Sequence, residues 1–88
     1  MGLLRARPDS LLAVVEVDLV VENAAGQLVG IEVKAAATVK EADLRGLKKL
    51  AGLAGDSFKM GVLLYDGDET MPLGDRIWAA PLSTLWGK

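Results

Sequence analysis

Glu16-Val17-Asp18-Leu19-Val20-Val21-Glu22, then Asn23-Ala24-Ala25-Gly26, then Gln27-Leu28-Val29-Gly30-Ile31-Glu32-Val33-Lys34, is two alternating runs joined by a turn. From Leu11 to Glu22, the side chains Leu11, Ala13, Val15, Val17, Leu19 and Val21 are all apolar. Leu12, Val14, Glu16, Asp18, Val20 and Glu22 make a mixed second face, and this period of two predicts a strand. Asn23 and Gly26 tolerate the backbone of a tight hairpin turn. In the second run Val29, Ile31, Val33 and Ala35 are apolar, opposite Leu28, Gly30, Glu32 and Lys34. The uniformly apolar sides are expected to face the core and the charged sides to face away from it.

Outward from this hairpin, Thr38-Val39-Lys40-Glu41 has the form of a capping box and predicts a helix start. Leu44, Leu47, Leu50 or Ala51, and Ala54 recur at helical spacing, with Arg45, Lys48 and Lys49 off that stripe and Gly55 as the stop. Met60-Gly61-Val62-Leu63-Leu64-Tyr65 is apolar throughout, as in a strand interior to a sheet and covered on both faces. Asp66-Gly67-Asp68 is a turn, Arg76 to Ala80 suits a strand, and Pro81 suits the first position of a short C-terminal helix. The expected order is β-β-α-β-β: an α/β domain with a mixed sheet of about four strands and one main helix. Residues 1–10 are expected to be a loose lead-in and residues 11–88 the folded core.

Composition narrows the chemistry. The chain has 88 residues, no cysteine and no histidine, and a formal net charge of -2. Disulfides, zinc-thiolate sites and Ser-His or Cys-His catalysis are therefore excluded. Carboxylates, Lys, Arg, Tyr and hydroxyls remain, and a bound metal is expected to be hard and oxygen-ligated. The apolar run Leu11 to Val21 is broken by Glu16 and Asp18 and is too short to span a bilayer. A cytoplasmic protein without a membrane segment is expected.

The charged residues supply the candidate site. Side chains two apart on a strand point the same way, so Glu16 sides with Asp18 and Glu32 with Lys34. If the hairpin pairs Glu22 with Leu28, Asp18 lies directly opposite Glu32 and Glu16 opposite Lys34. Like charges so placed repel unless something neutralises them. Two carboxylates and the backbone carbonyl of Val33 make an oxygen site suited to Mg²⁺ or Mn²⁺, with Lys34 as a cation for the transition state. A register shifted by two would instead pair Asp18 with Lys34 in a solvated cross-strand salt bridge. Glu16 is read equally as an accessory metal or water ligand or as the partner of Lys34.

Asp18, Glu32-x-Lys34 on the next strand and a helix after it resemble the PD-(D/E)xK nuclease superfamily. Leu44-Arg45-Gly46-Leu47, Gly61 to Tyr65 and Leu73-Gly74-Asp75-Arg76-Ile77-Trp78-Ala79-Ala80-Pro81-Leu82 extend the likeness. Together with Glu16 to Glu22 and Gly30 to Lys34, they resemble, over about Val15 to Trp86, the C-terminal domain of unknown function attached to many prokaryotic AAA+ ATPases. The resemblance implies a restriction-endonuclease-like core and a metal-dependent phosphodiesterase, a nuclease acting on DNA. Asp18 and Glu32 would be metal ligands and Lys34 the catalytic cation. It also implies an upstream helix, for which residues 1–14 are too short, and an ATPase domain, although no G-x-x-x-x-G-K-[ST] is present.

The readings kept open are a nuclease, an inactive accessory module of an AAA+ ATPase that docks protein or nucleic acid, and a fragment that folds by dimerising. An excised fragment or a minimal version is expected to leave Leu12, Val14 and Val20 partly exposed and so to form a homodimer. Lys40, Arg45, Lys48 and Lys49 are read as a phosphate-tracking face or as the helix's solvated side. Trp78, Trp86 and Phe58 are assigned to packing rather than base stacking, and Asp66, Asp68, Glu69 and Asp75 to turns.

Overall fold

The computed structural model describes Arg5, Ala6 and residues 17–86. Its elements are β1 (Arg5–Ala6), β2 (Leu19–Glu22), β3 (Leu28–Lys34), α1 (Arg45–Ala54), β4 (Phe58–Tyr65), β5 (Met71–Gly74) and β6 (Ile77–Pro81). Short 3₁₀ turns at Glu41–Leu44, Gly55–Ser57 and Leu82–Trp86 flank them. The strands form one mixed sheet in the order β1-β2-β3-β4-β6-β5. Five strands of four to eight residues carry it, and the two-residue β1 lies at one edge. The α/β class and the single main helix match expectation; the strand count exceeds it.

Both unexpected strands lie at edges. Met71-Pro72-Leu73-Gly74 contains a proline, which cannot donate to a ladder and is confined to edge strands and bulges. In the structure β5 pairs with β6 alone, with a register shift between Pro72 and Gly74. The expected C-terminal helix is a 3₁₀ turn that begins at Leu82, because Pro81 still belongs to β6.

The hairpin register is the expected one, pairing Glu22 with Leu28 and Leu19 with Ile31. Asn23 closes the turn from both sides. Its N–H donates to the Gln27 carbonyl at 3.0 Å, and its Oδ1 accepts from the N–H groups of Ala25 and Gln27 at 2.9 Å each. β3 then crosses over through α1 to the parallel β4, which lies parallel to β6 as well. β4 is interior to the sheet, as its composition predicts.

The faces are reversed from expectation. α1 packs Leu47 and Leu50 over Gly30, on the side that carries Val20 and Leu28. Val20 is fully buried rather than exposed, and Leu19 is 39% exposed rather than core. Glu32 and Lys34 therefore share the face covered by the helix, at its far end. The opposite face leaves Val33 46%, Met60 37% and Trp78 41% exposed. The alternation was legible, but both faces of these strands are apolar enough to be core, so composition did not choose between them. Leu11, Leu12, Ala13, Val14 and Val15 lie outside the described residues.

The core is one cluster of Val17, Val20, Leu28, Leu44, Leu47, Leu50, Phe58, Leu63 and Ile77. Full burial of each Leu or Phe side chain is worth about 1.5–3 kcal/mol. Gly30 is what lets the helix approach: a Cβ there would stand 2.7 Å from Leu50 Cδ2 and 2.9 Å from Leu47 Cδ2. At the other end of the helix, the Arg76 guanidinium donates to the Phe58 carbonyl at 2.7 Å and lies over the Phe58 ring at 5.3 Å. Among the described residues no helix is long and apolar enough to cross a membrane.

Candidate functional site

The site lies where β2 begins. Leu19 is its first paired residue, and Asp18 sits in a bend just before it. The bend turns Val17 into the core, 8% exposed, and leaves Asp18 on the surface. The ladder stops at Leu19 and Ile31, and the bend at Asp18 interrupts the alternation that would have carried it on to Asp18 opposite Glu32. The Asp18 carboxylate replaces the missing ladder partner: its Oδ2 accepts the Val33 N–H at 2.7 Å. A residue's N–H and C=O point to the same edge of a strand, so the Val33 carbonyl also faces the edge where Asp18 lies.

Glu32 is half-buried, and its Oε1 is out of contact with solvent. In the parallel register it stands beside Leu63, which is fully buried. Lys34 stands beside Tyr65, 4% exposed, whose hydroxyl donates to the Glu69 carbonyl at 2.8 Å.

Lys34 does not pair with Asp18. Its ammonium meets Asp43 Oδ2 at 2.6 Å, with the two side chains 23% and 21% exposed. The same oxygen accepts the Lys40 N–H at 2.7 Å. The expected capping box is thus displaced by two residues. The first helical turn starts at Glu41, Lys40 holds the cap position, and Asp43 rather than Glu41 reaches back. The Lys34 ammonium, then the Lys40 N–H, hold the Asp43 carboxyl below its ordinary value, against a weaker opposing effect of burial. Asp43 is the site residue that the sequence reading missed. An acid three residues past a helix start is the signal that points to it.

Glu16 lies outside the described residues. Lys40, Arg45, Lys48 and Lys49 are all exposed. Lys48 pairs with Glu41, two surface side chains 50% and 79% exposed, a contact of small energetic weight. Among the described residues no group of three or more acidic side chains is gathered in a form that would hold a metal ion. Two contacts mark the end of β3: Asp18 on the Val33 N–H, and Lys34 on Asp43 at the start of the helix, with Glu32 on the strand between them.

The family profile described as "Domain of unknown function (DUF4143)" matches residues 13–85. The chain belongs to this family. The DUF4143 match takes in both hairpin strands, the helix and every residue just named. No curated protein and no solved structure matches the chain.

Proposed function

We propose that this DUF4143 domain is a metal-dependent phosphodiesterase acting on DNA, built on a restriction-endonuclease-like core. The observation that carries the reading is the β2–β3 register, with the Asp18 carboxylate hydrogen-bonded to the backbone inside Glu32-Val33-Lys34. The strand order supports it too: an antiparallel β1-β2-β3 run followed by a helical crossover to a parallel β4.

The donor set fits a hard cation. Asp18 uses one of its roughly four lone-pair sites on the Val33 N–H and keeps the others. Asp18, Glu32 and the Val33 carbonyl are the groups that would hold Mg²⁺ or Mn²⁺. When bound, such an ion acidifies water and neutralises charge on a phosphodiester. Lys34, two residues along β3 from Glu32, would supply a positive charge for the negative charge that builds up during hydrolysis. Lys40, Arg45 and Lys49, exposed on the same helix and its entry, supply phosphate contacts.

The test is cleavage of single-stranded, duplex and branched DNA in Mg²⁺ or Mn²⁺. Wild type is expected to cleave, and Asp18→Ala, Glu32→Ala and Lys34→Ala are expected to abolish cleavage. An inactive wild type, or cleavage that survives all three changes, would sink the reading. A second reading, an accessory module of an AAA+ ATPase that docks without cleaving, draws support from the engagement of Lys34 by Asp43 and from the net charge of -2. It expects DNA or protein binding without metal-dependent cleavage. Self-association through a second copy now rests on Leu19, Val33, Met60 and Trp78 rather than on Val20. Sedimentation at several concentrations tests it, and a monomer at every concentration refutes it.

A further inference from the structure

We propose that Asp43 is a positioning residue for Lys34, fixing its ammonium at the end of β3 by tying it to the start of the helix. The proposal deepens the phosphodiesterase reading and rests on it for its catalytic consequence. Lysine carries its charge on a flexible four-carbon stem, so strand placement alone leaves the ammonium wandering. A catalytic charge that wanders loses the advantage of preorganisation.

Asp43 removes that freedom because it is itself held. One oxygen, Oδ2, bonds both the Lys34 ammonium at 2.6 Å and the Lys40 N–H at 2.7 Å. The Asp43 N–H donates back to the Lys40 carbonyl at 2.9 Å. Its neighbour Leu44 is 3% exposed and anchored in the core cluster. On the lysine side, the chain leaves β3 in a tight turn, with the Ala36 N–H on the Lys34 carbonyl at 2.9 Å. Both side chains of the pair are about four-fifths covered, whereas those of Lys48 and Glu41 are half-exposed or more. The first pair is thus a covered link between β3 and the helix entry, and the second is a surface contact between that entry and the helix that continues it.

Asp43→Asn separates the two duties of the residue. Its amide oxygen still accepts from Lys40, while the charge that holds the ammonium is gone. Side-chain NMR on protein carrying ¹³C-labelled lysine reads the order of the Lys34 Cε, with exposed Lys49 and Lys59 as references. In wild type Lys34 is expected to be the most ordered of the three. In Asp43→Asn it is expected to become as mobile as Lys49 and Lys59, and in Asp43→Glu to recover order. Lys34 equally ordered in wild type and Asp43→Asn overturns the proposal, as does a wild-type Lys34 as mobile as Lys59. In the DNA cleavage assay, Asp43→Asn is expected to lower kcat by about tenfold to a hundredfold with KM unchanged; an unchanged kcat overturns the catalytic part. A wild type that does not cleave defeats the phosphodiesterase reading instead, and the NMR comparison still decides whether Asp43 positions Lys34.

Discussion

Gly30→Ala and Gly52→Ala add the same methyl group to the same protein, and the structure expects opposite signs. A Cβ at position 30 would meet Leu50 Cδ2 at 2.7 Å and Leu47 Cδ2 at 2.9 Å, and both leucines are fully buried. Both Cδ2 atoms are side-chain ends, but they sit inside the core cluster, so moving them disturbs the packing of its other members. Overpacking of this kind costs about 1–3 kcal/mol. Loss of unfolded-chain freedom on replacing glycine offsets about 0.4–1 kcal/mol of that. The two ranges together leave about 0–2.6 kcal/mol, and the approach below 3 Å to two side chains at once places Gly30→Ala in the upper half, a destabilisation of about 1.5–2.5 kcal/mol. Gly52 is in α1, exposed, and nothing lies within 4 Å of its would-be Cβ. There the helix preference of alanine over glycine stabilises by about 1 kcal/mol. Urea titration with a shared slope should separate the two variants by about 1–3 M in midpoint. Heating should separate them by roughly 4–8 °C per kcal/mol. A Gly30→Ala variant as stable as wild type would show that α1 does not lie as close to β3 as described here.

A Cβ at Gly67 would run into the Tyr65 ring, so Gly67→Ala is expected to displace that ring, break the hydroxyl bond to Glu69 and destabilise by about 1–3 kcal/mol; an unchanged urea midpoint refutes this. Leu47→Ala removes a fully buried side chain at the centre of the core and is expected to cost about 2–5 kcal/mol, measured in the same titration. The lowered Asp43 carboxyl fixes a sign for acid. Its folded value lies below the ordinary 3.8, so its contribution is complete above that value and is lost as pH falls through the depressed one. The stability gap between wild type and Asp43→Asn should therefore be constant near neutrality, shrink below about pH 4 and close on further acidification. A gap that persists or widens in acid contradicts the assignment.

The hairpin could be read closely because its information is local. Asn23 and Gly26 mark the turn, and the turn length sets the register that pairs Glu22 with Leu28 and Leu19 with Ile31. The helix stripe Leu44, Leu47, Leu50 was readable for the same reason. Which face of the hairpin met that stripe was not readable, since it depends on a helix some fifteen residues away. Lys34 shows the same limit. Its partner comes from the helix entry, on another element, and no spacing within β3 points to Asp43. β5 escaped notice because Pro72 argues against a strand until an edge position is available to hold it.

Arg76 fastens one end of the sheet. Its side chain ties the β5–β6 turn to the start of β4 at Phe58, and its carbonyl takes the Gly61 N–H at 2.8 Å. Asp18, Glu32 and Lys34 sit at the other end, where β3 and β4 finish. That margin is closed as well, by the Asp66 N–H on the Ala36 carbonyl at 2.9 Å and by the Lys34–Asp43 pair. The sheet is thus stitched at both margins, by backbone at one and by a charge at the other, so acid should loosen only the second: amide exchange at Asp66 should quicken relative to Gly61 as Asp43 takes up its proton.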